Sequence, residues 1–137
     1  MTRVMTEGLE FPEGPVALDD GSVLVVEIKR QTITRCWPDG STEVVAETGG
    51  GPNGMAIGPD GALYVCNNGG FAWREIDGMT APGHQGDEYV GGSIQRVVIE
   101  TGEVTTLYTE CDGHQLRGPN DIVFDTNGGV WFTDLGK

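Results

Sequence analysis

The sequence predicts an all-β protein, and two observations lead to this fold class. Short runs rich in Val, Ile, Thr and aromatic residues follow one another along the 137 residues, separated by turns such as DDG, PDG and TNGG. No stretch of ten or more residues repeats its apolar positions with the 3.6-residue period of an amphipathic helix. Helices are therefore expected to be minor or absent.

Each predicted strand has a local justification, and the strands fall into recurring types. SVLVVEI, ALYVCN and GVWFT contain continuous apolar runs, which are typical of strands buried on both faces. GMAIG and DIVFD each come directly before one of these buried strands and follow a Pro-Asn pair. QTITRCW and SIQRVVI both place Ile and Arg two residues apart, and both continue through a Gly turn into a further strand, TEVVAE or EVTTLYT.

A polar residue recurs at the start of three similar units. Glu13, Asn53 and Asn120 each precede a turn glycine by 8 residues. Glu13 and Asn53 are 40 residues apart, and Asn53 and Asn120 are 67 apart, with most of the excess in residues 69–92. Repeats of this length indicate β-propeller blades, whose innermost strands line a central channel. The three polar side chains are therefore expected to converge on the channel axis.

One carboxylate and several amide oxygens around a channel would suit a hard divalent cation. Glu13 is accordingly the predicted metal ligand, with calcium preferred and magnesium, manganese or zinc as alternatives. For each asparagine a local turn role is the competing interpretation, because Asn side chains in turns often bond their own backbone. Glu is a poor turn former, so this alternative is weaker for Glu13.

Three ordered motifs carry a resemblance that covers nearly the whole chain. EGPV at 13–16, PNGMAIGPDGALYV at 52–65 and PNDIVFDTNGGVWFTD at 119–134 resemble the senescence marker protein (regucalcin), gluconolactonase and LRE-like family. The resemblance implies a six-bladed β-propeller with one axial divalent metal, hydrolysing lactones or related esters. It implies that Glu13 is the first-blade metal ligand and that Asn120 is a catalytic residue contacting substrate or metal-bound water. Asn53 matches a second-blade position and is expected to bind substrate.

The chain is shorter than the resemblance requires. Residues 1–137 are expected to form one part of a single domain, about two and a half blades: blades 1 and 2 and the inner strands of blade 3, with a loop insertion at 69–92. The family's fourth-blade asparagine and fifth-blade aspartate have no counterpart here. Competence is therefore expected only with the C-terminal half of the propeller, from the same precursor or a second chain. Precursor cleavage after Lys137 is one route, and a shortened or nicked chain is another.

The expected function is a metal-dependent hydrolase that opens a small cyclic ester or a related cyclic amide. The alternative is a non-enzymatic propeller module that binds metal or protein. Three further residues are predicted to contact substrate: Trp73 in the insertion, and His114 and Arg117 shortly before Asn120. Ordinary exposure to solvent is the competing interpretation for these loop residues.

Composition argues against several other classes of protein. With 8 basic and 21 acidic residues the formal net charge is −13, which disfavours nucleic acid and anionic membranes as partners. No apolar stretch reaches the length of a signal peptide or a membrane span. The 3 cysteines are widely spaced and are expected to stay reduced, which favours a cytoplasmic location.

Overall fold

The computed structural model describes residues 2–136, which form fourteen strands and no helix. Within that range no helix is available that could cross a membrane. Lys137, and with it the predicted cleavage point, lies outside the described residues. The predicted all-β fold class is therefore confirmed over the described part of the chain.

The first sheet, blade 1, contains four antiparallel strands in sequence order. They are β1 (Pro12–Ala17), β2 (Val23–Glu27), β3 (Thr32–Cys36) and β4 (Thr42–Glu47). Short turns join them, with a glycine in the first and the third turn, and the two middle strands, β2 and β3, are largely buried.

Blade 2 repeats this order around a larger connection. Its strands are β5 (Pro52–Ile57), β6 (Leu63–Asn67), β9 (Ser93–Val97) and β10 (Val104–Tyr108). The insertion predicted as a loop at 69–92 instead contains a hairpin of β7 (Trp73–Ile76) and β8 (Met79–Pro82). Asp77 and Gly78 form its two-residue turn with φ of 52° and 78°, the positive pair that an Asp-Gly turn of type I′ adopts.

Blade 3 is represented by its two inner strands, β13 (Pro119–Phe124) and β14 (Val130–Asp134). A second small hairpin, β11 (Glu110–Cys111) and β12 (His114–Gln115), precedes it and was not predicted from the sequence. This hairpin also turns on an Asp-Gly pair with positive φ.

The Arg that recurs in the third strand of blades 1 and 2 has the same partner in both. Arg35 pairs with Asp20, and Arg96 lies 2.7 Å from an oxygen of Asp60. Each aspartate belongs to the turn between the first and second strands of its own blade. The Ile-x-Arg repeat therefore marks an ion pair that recurs in blades 1 and 2, at the end of each blade opposite the start of its first strand.

Two apolar clusters hold the three blades together, one at each junction. Between blades 1 and 2 the buried side chains are Leu24, Val26, Ile28, Ile33, Ala46, Met55, Leu63, Val65 and Val97. Between blades 2 and 3 they are Cys66, Ile94, Leu116 and Ile122. The sheets thus stack face to face as propeller blades do.

The far face of blade 3 is apolar and exposed. Val123 and Trp131 are cross-strand partners there, with 60% and 67% of their surface accessible. The residues at the corresponding register in blade 1, Val16 and Leu24, pack into the first cluster. An aromatic and a branched side chain paired in this way are characteristic of a face that packs on another layer.

Candidate metal and substrate site at the inner strand starts

The three recurrent polar residues line one cavity of about 350 Å³. Glu13, Asn53 and Asn120 stand at the second positions of β1, β5 and β13, the innermost strands of the three blades. The rest of the wall consists of Gly14, Pro15, Gly54, Met55 and Asp121. The predicted convergence is therefore observed, while the chemical role of each side chain stays a prediction. We call this space the axial cavity.

The same local backbone arrangement presents all three residues. A proline precedes each of them at the first strand position, where its missing N–H removes no essential ladder bond. Each inner strand then shifts register against its neighbour by one residue, which bends the strand and re-aims its side chains. The shifts lie between Glu13 and Val16, Pro52 and Met55, and Pro119 and Ile122.

Glycine next to the polar residue lets the inner strands approach closely. A Cβ at Gly14 would stand 2.6 Å from the Asn53 carbonyl oxygen. A Cβ at Gly54 would stand 2.6 Å from the Asn120 carbonyl oxygen and 2.5 Å from Oδ1 of Asp121. Real Cβ atoms do not occupy such positions, so both glycines are required for the narrow axial cavity.

Asp121 is a residue of the cavity wall that the sequence analysis missed. It occupies the register of Gly14 and Gly54, so the first two units gave no sign of an acidic group at this position. Its Oδ1 accepts a hydrogen bond from the Ile122 N–H at 2.9 Å, and its own N–H donates to the Thr133 hydroxyl at 3.2 Å. The wall of the axial cavity therefore contains two carboxylates, Glu13 from blade 1 and Asp121 from blade 3.

These groups fit a hard divalent cation in kind. Carboxylate and amide oxygens are the ligands that calcium prefers, in sets of about 6–8. With one oxygen from each side chain, Glu13, Asp121, Asn53 and Asn120 supply four positions, fewer than that. No group of three or more His, Cys, Asp or Glu side chains suited to a metal occurs between residues 2 and 136. A cation here would need water or additional protein groups to complete its coordination.

A second set of missed residues ends the second strand of each blade. Glu27, Asn67 and Asp134 follow Glu13, Asn53 and Asn120 by 14 residues in every case. Each pairs across the sheet with the proline that precedes the cavity residue. The sequence signal for these residues is a polar side chain at the end of three strand-like runs, VVE, VCN and FTD.

The Asp134 carboxylate shows what this position does. It accepts hydrogen bonds from the backbone N–H groups of Gly118 at 2.7 Å, Arg117 at 2.9 Å and Gly136 at 3.0 Å. Burial acts to raise the pKa of Asp134, but the three N–H groups, with the Arg117 charge, together outweigh it and hold the pKa below its usual value of 3.8. The ionised carboxylate thus ties down the chain that leads to Asn120.

This lowered pKa predicts an acid-sensitive contribution to stability. Because the folded state holds fewer protons on Asp134 than the unfolded state near pH 3.8, the contribution is complete above that pH and is lost as the pH falls through the folded-state pKa. We expect Asp134→Asn to flatten the fall of the free energy of unfolding below about pH 4. Urea unfolding at a series of pH values measures this, and an unchanged slope in the variant would rule the contribution out.

The other predicted substrate contacts lie away from the axial cavity wall. Trp73 packs its ring on Phe11 with centroids 5.0 Å apart and on Phe71 at 6.0 Å. His114 is exposed in the β11–β12 hairpin, and the Arg117 residue is exposed beside Asp134. The structure thus brings Glu13, Asn53 and Asn120 together but does not add these three residues to the wall. Their contacts with substrate stay predictions.

The insertion lies at the same end of the blades as the axial cavity. It leaves β6 at Asn67 and returns at Ser93, directly opposite one another in the sheet. Its Glu75 carboxylate is 3.6 Å from Lys29 of blade 1, and the Tyr89 hydroxyl donates to the Arg117 carbonyl at 2.7 Å, just before blade 3. The insertion therefore contacts blade 1 on one side and the segment before blade 3 on the other.

Comparisons with known proteins agree with this architecture. Residues 11–137 match the family described as the SMP-30/Gluconolactonase/LRE-like region. A gluconolactonase of Zymomonas mobilis is 27% identical over 146 aligned positions, covering 96% of this chain and 35% of the relative. The chain therefore spans about a third of that protein's length.

A solved structure of a related protein has a similar fold. The gluconolactonase of Xanthomonas campestris, described as important in secondary glucose metabolism, superimposes with a TM-score of 0.71 and 21% identity, covering 95% of this chain and 37% of its own. At this level of identity the match supports the propeller-type fold, and the blade count of six stays a prediction. The match over residues 11–137 shows that the chain belongs to the SMP-30/gluconolactonase/LRE-like family.

Proposed function

We propose that this chain supplies the first blades of a metal-dependent hydrolase that opens lactones. The observation that carries the proposal is the convergence of Glu13, Asn53 and Asn120 on one cavity, with Asp121 as a second carboxylate. A propeller serving only as a scaffold has no need for this polar set at the start of three inner strands. The Zymomonas and Xanthomonas relatives, both named gluconolactonases, support a cyclic ester as substrate.

Each cavity residue has a role within this proposal. A bound divalent cation would supply a Lewis acid that polarises the ring carbonyl, an effect worth several kcal/mol of barrier. Glu13 would hold that cation, and calcium suits the oxygen-rich wall best. The Asn120 amide can orient a substrate hydroxyl or an attacking water, and the Asn53 amide can hydrogen-bond the substrate. A related cyclic amide would meet the same groups.

The proposal includes further blades from the rest of the propeller. Its support is the exposed apolar face of blade 3, where Trp131 is 67% accessible, together with a cavity whose oxygen ligands are too few for calcium. Further blades would cover this face and bring additional ligands to the axis. They could come from the same precursor, with or without cleavage, or from a second chain.

A reducing, cytoplasmic setting is proposed on the basis of the cysteines. Cys36, Cys66 and Cys111 are all unpaired thiols, two of them buried. Burial, reinforced by the charges of Asp121 and Asp134, raises the pKa of Cys66 to about 12, so that this thiol is inert at neutral pH.

The proposal is tested by following acid release from glucono-1,5-lactone in a pH-stat, using the assembled protein. We expect turnover that EDTA abolishes and that added calcium restores, because removing the cation removes the Lewis acid. Absence of chelator-sensitive turnover on five- and six-membered lactones, and on a cyclic amide, would contradict the hydrolase. It would favour the alternative of a propeller module that binds metal or protein.

A further inference from the structure

Glu27 is a buried carboxylate that the chemistry proposed above does not use. Its side chain is 0% accessible, and it closes β2 directly opposite Pro12, the residue before Glu13. Burial of an ionised group is costly unless every oxygen has partners, and a side chain of the same shape without charge would avoid that cost. Its contacts indicate why a carboxylate stands here.

Both oxygens of Glu27 are occupied. Oε2 accepts the backbone N–H of Glu10 at 2.6 Å. Oε1 accepts the Thr34 hydroxyl at 2.5 Å and lies 3.2 Å from Nη1 of Arg30. Arg30 in turn donates to the Gly8 carbonyl at 3.2 Å. The carboxylate and its ion-pair partner therefore both hold the segment that leads into Glu13.

The same segment is held in a strained conformation. Phe11, two residues before Glu13, has φ of 58°, a left-handed conformation that is costly for a bulky side chain. Its carbonyl accepts the Ile28 N–H at 3.1 Å, and the Glu10 carbonyl accepts the Lys29 N–H at 3.3 Å. Strain of this kind persists only where surrounding contacts enforce it, and here residues 27–30 provide those contacts.

The arrangement recurs in the other two blades, which makes it a property of the site and not of one loop. Oδ1 of Asn67 accepts the Gly51 N–H at 2.8 Å, two residues before Asn53. Asp134 accepts the Gly118 N–H at 2.7 Å, two residues before Asn120. In blade 1 the longer Glu27 side chain reaches one residue further back, to Glu10. Three acceptors thus anchor the backbone before the three cavity residues.

We propose that Glu27 is a positioning residue that fixes the Glu13 carboxylate in the axial cavity by anchoring Glu10 and Phe11. Glu27→Gln is nearly isosteric but places an amide N–H₂ where one oxygen accepted a hydrogen bond. If the N–H₂ takes the place of Oε2, the Glu10 N–H loses its acceptor; if it takes the place of Oε1, the Thr34 hydroxyl and Arg30 lose theirs. The ion pair with Arg30 is lost in both orientations, so the strained segment relaxes and Glu13 loses its fixed direction. Supporting groups of this kind typically change metal affinity by about 10–100-fold.

The test compares Glu27→Gln with Arg35→Met in the assembled protein. Arg35 pairs with Asp20 and stacks on Trp37 at the opposite end of the same blade, so its loss also costs stability but leaves residues 8–13 untouched. We expect Mn²⁺ affinity, measured by titration calorimetry, to fall about tenfold in Glu27→Gln and to stay at the wild-type value in Arg35→Met. An unchanged affinity in Glu27→Gln, or an equal loss in both variants, would overturn the proposal.

The Mn²⁺ measurement rests on the proposed function. An NMR measurement tests the positioning role of Glu27 separately from the proposed metal site. In cation-free protein we expect Glu27→Gln to accelerate hydrogen exchange at the Glu10 amide and to shift the carboxyl ¹³C resonance of Glu13. A wild-type protein that binds no Mn²⁺ would contradict the metal site alone. Unchanged Glu10 exchange and an unchanged Glu13 resonance would contradict the positioning role, whatever the cation result.

Discussion

Glu13→Gln is expected to abolish cation binding at the axial cavity and to reduce lactone hydrolysis by about 10³-fold, since loss of a Lewis acid removes several kcal/mol of barrier lowering. Stability should change little, because Glu13 is exposed and its carboxylate is not part of the core. Calcium titration, pH-stat kinetics and thermal unfolding of the assembled variant measure the three quantities.

Glu43→Gln is the matched control for this substitution. Glu43 is an equally exposed glutamate of blade 1, on the outer strand β4 and away from the axial cavity. Both variants remove one negative charge, so a nonspecific effect of net charge would appear in each. If Glu13→Gln kept the cation affinity and turnover of the wild-type protein, Glu13 would not be a ligand of the cation.

Gly54→Ala is expected to destabilise the protein by about 1–3 kcal/mol, as overpacking of a close contact does. The added Cβ would lie 2.5 Å from Oδ1 of Asp121, a side-chain atom that can move. It would also lie 2.6 Å from the Asn120 carbonyl oxygen and 2.7 Å from the Asp121 Cα. Two of these three atoms are backbone, so β5 and β13 must move apart. Denaturant unfolding followed by tryptophan fluorescence gives the loss, and cation affinity should fall with it.

Gly86→Ala separates this packing effect from a general effect of replacing glycine. Gly86 lies in the insertion, also without a positive φ, and its nearest atom to an added Cβ is the Ala72 nitrogen at 3.3 Å. We expect it to cost well under 1 kcal/mol. If Gly54→Ala were as stable as Gly86→Ala, the close approach of the inner strands would not be required.

The repeat made much of the fold predictable. Two blades with the same strand order can be aligned on Glu13 and Asn53, and this alignment predicts that Asn120 lies on a third inner strand. Local strand propensity alone would not have done this, because register and strand order depend on contacts between distant segments. The repeat carries that information since each unit must pack on its neighbours in the same way.

Residues without a repeat partner were the ones that could not be predicted. The Asp77-Gly78 pair is a local hairpin signal that the sequence analysis missed. The packing of Trp73 on Phe11 could not be predicted, because the insertion has no counterpart in blade 1. Asp121 was hidden for a related reason, since its register is glycine in both earlier units.

For the polar residues, the positions could be predicted from the sequence but the hydrogen-bond partners could not. The meeting of Glu13, Asn53 and Asn120 follows from fold geometry, and the structure shows them in the wall of one cavity. The anchoring roles of Glu27 and Asp134 could have been found from their shared offset of 14 residues, but only hydrogen bonds to specific backbone N–H groups show what the offset means. Spacing identifies equivalent positions, and coordinates identify their partners.

Anomalous diffraction from crystals of the assembled protein grown with Mn²⁺ would locate the cation most directly. We expect one strong peak in the axial cavity, about 2.0–2.6 Å from a Glu13 carboxylate oxygen, the range for hard cations with oxygen ligands. Asn53 and Asn120 should lie within reach of the same ion or of its bound water. A peak elsewhere, or a Glu13 side chain directed into bulk solvent with the cavity empty at saturating Mn²⁺, would contradict a shared cation site.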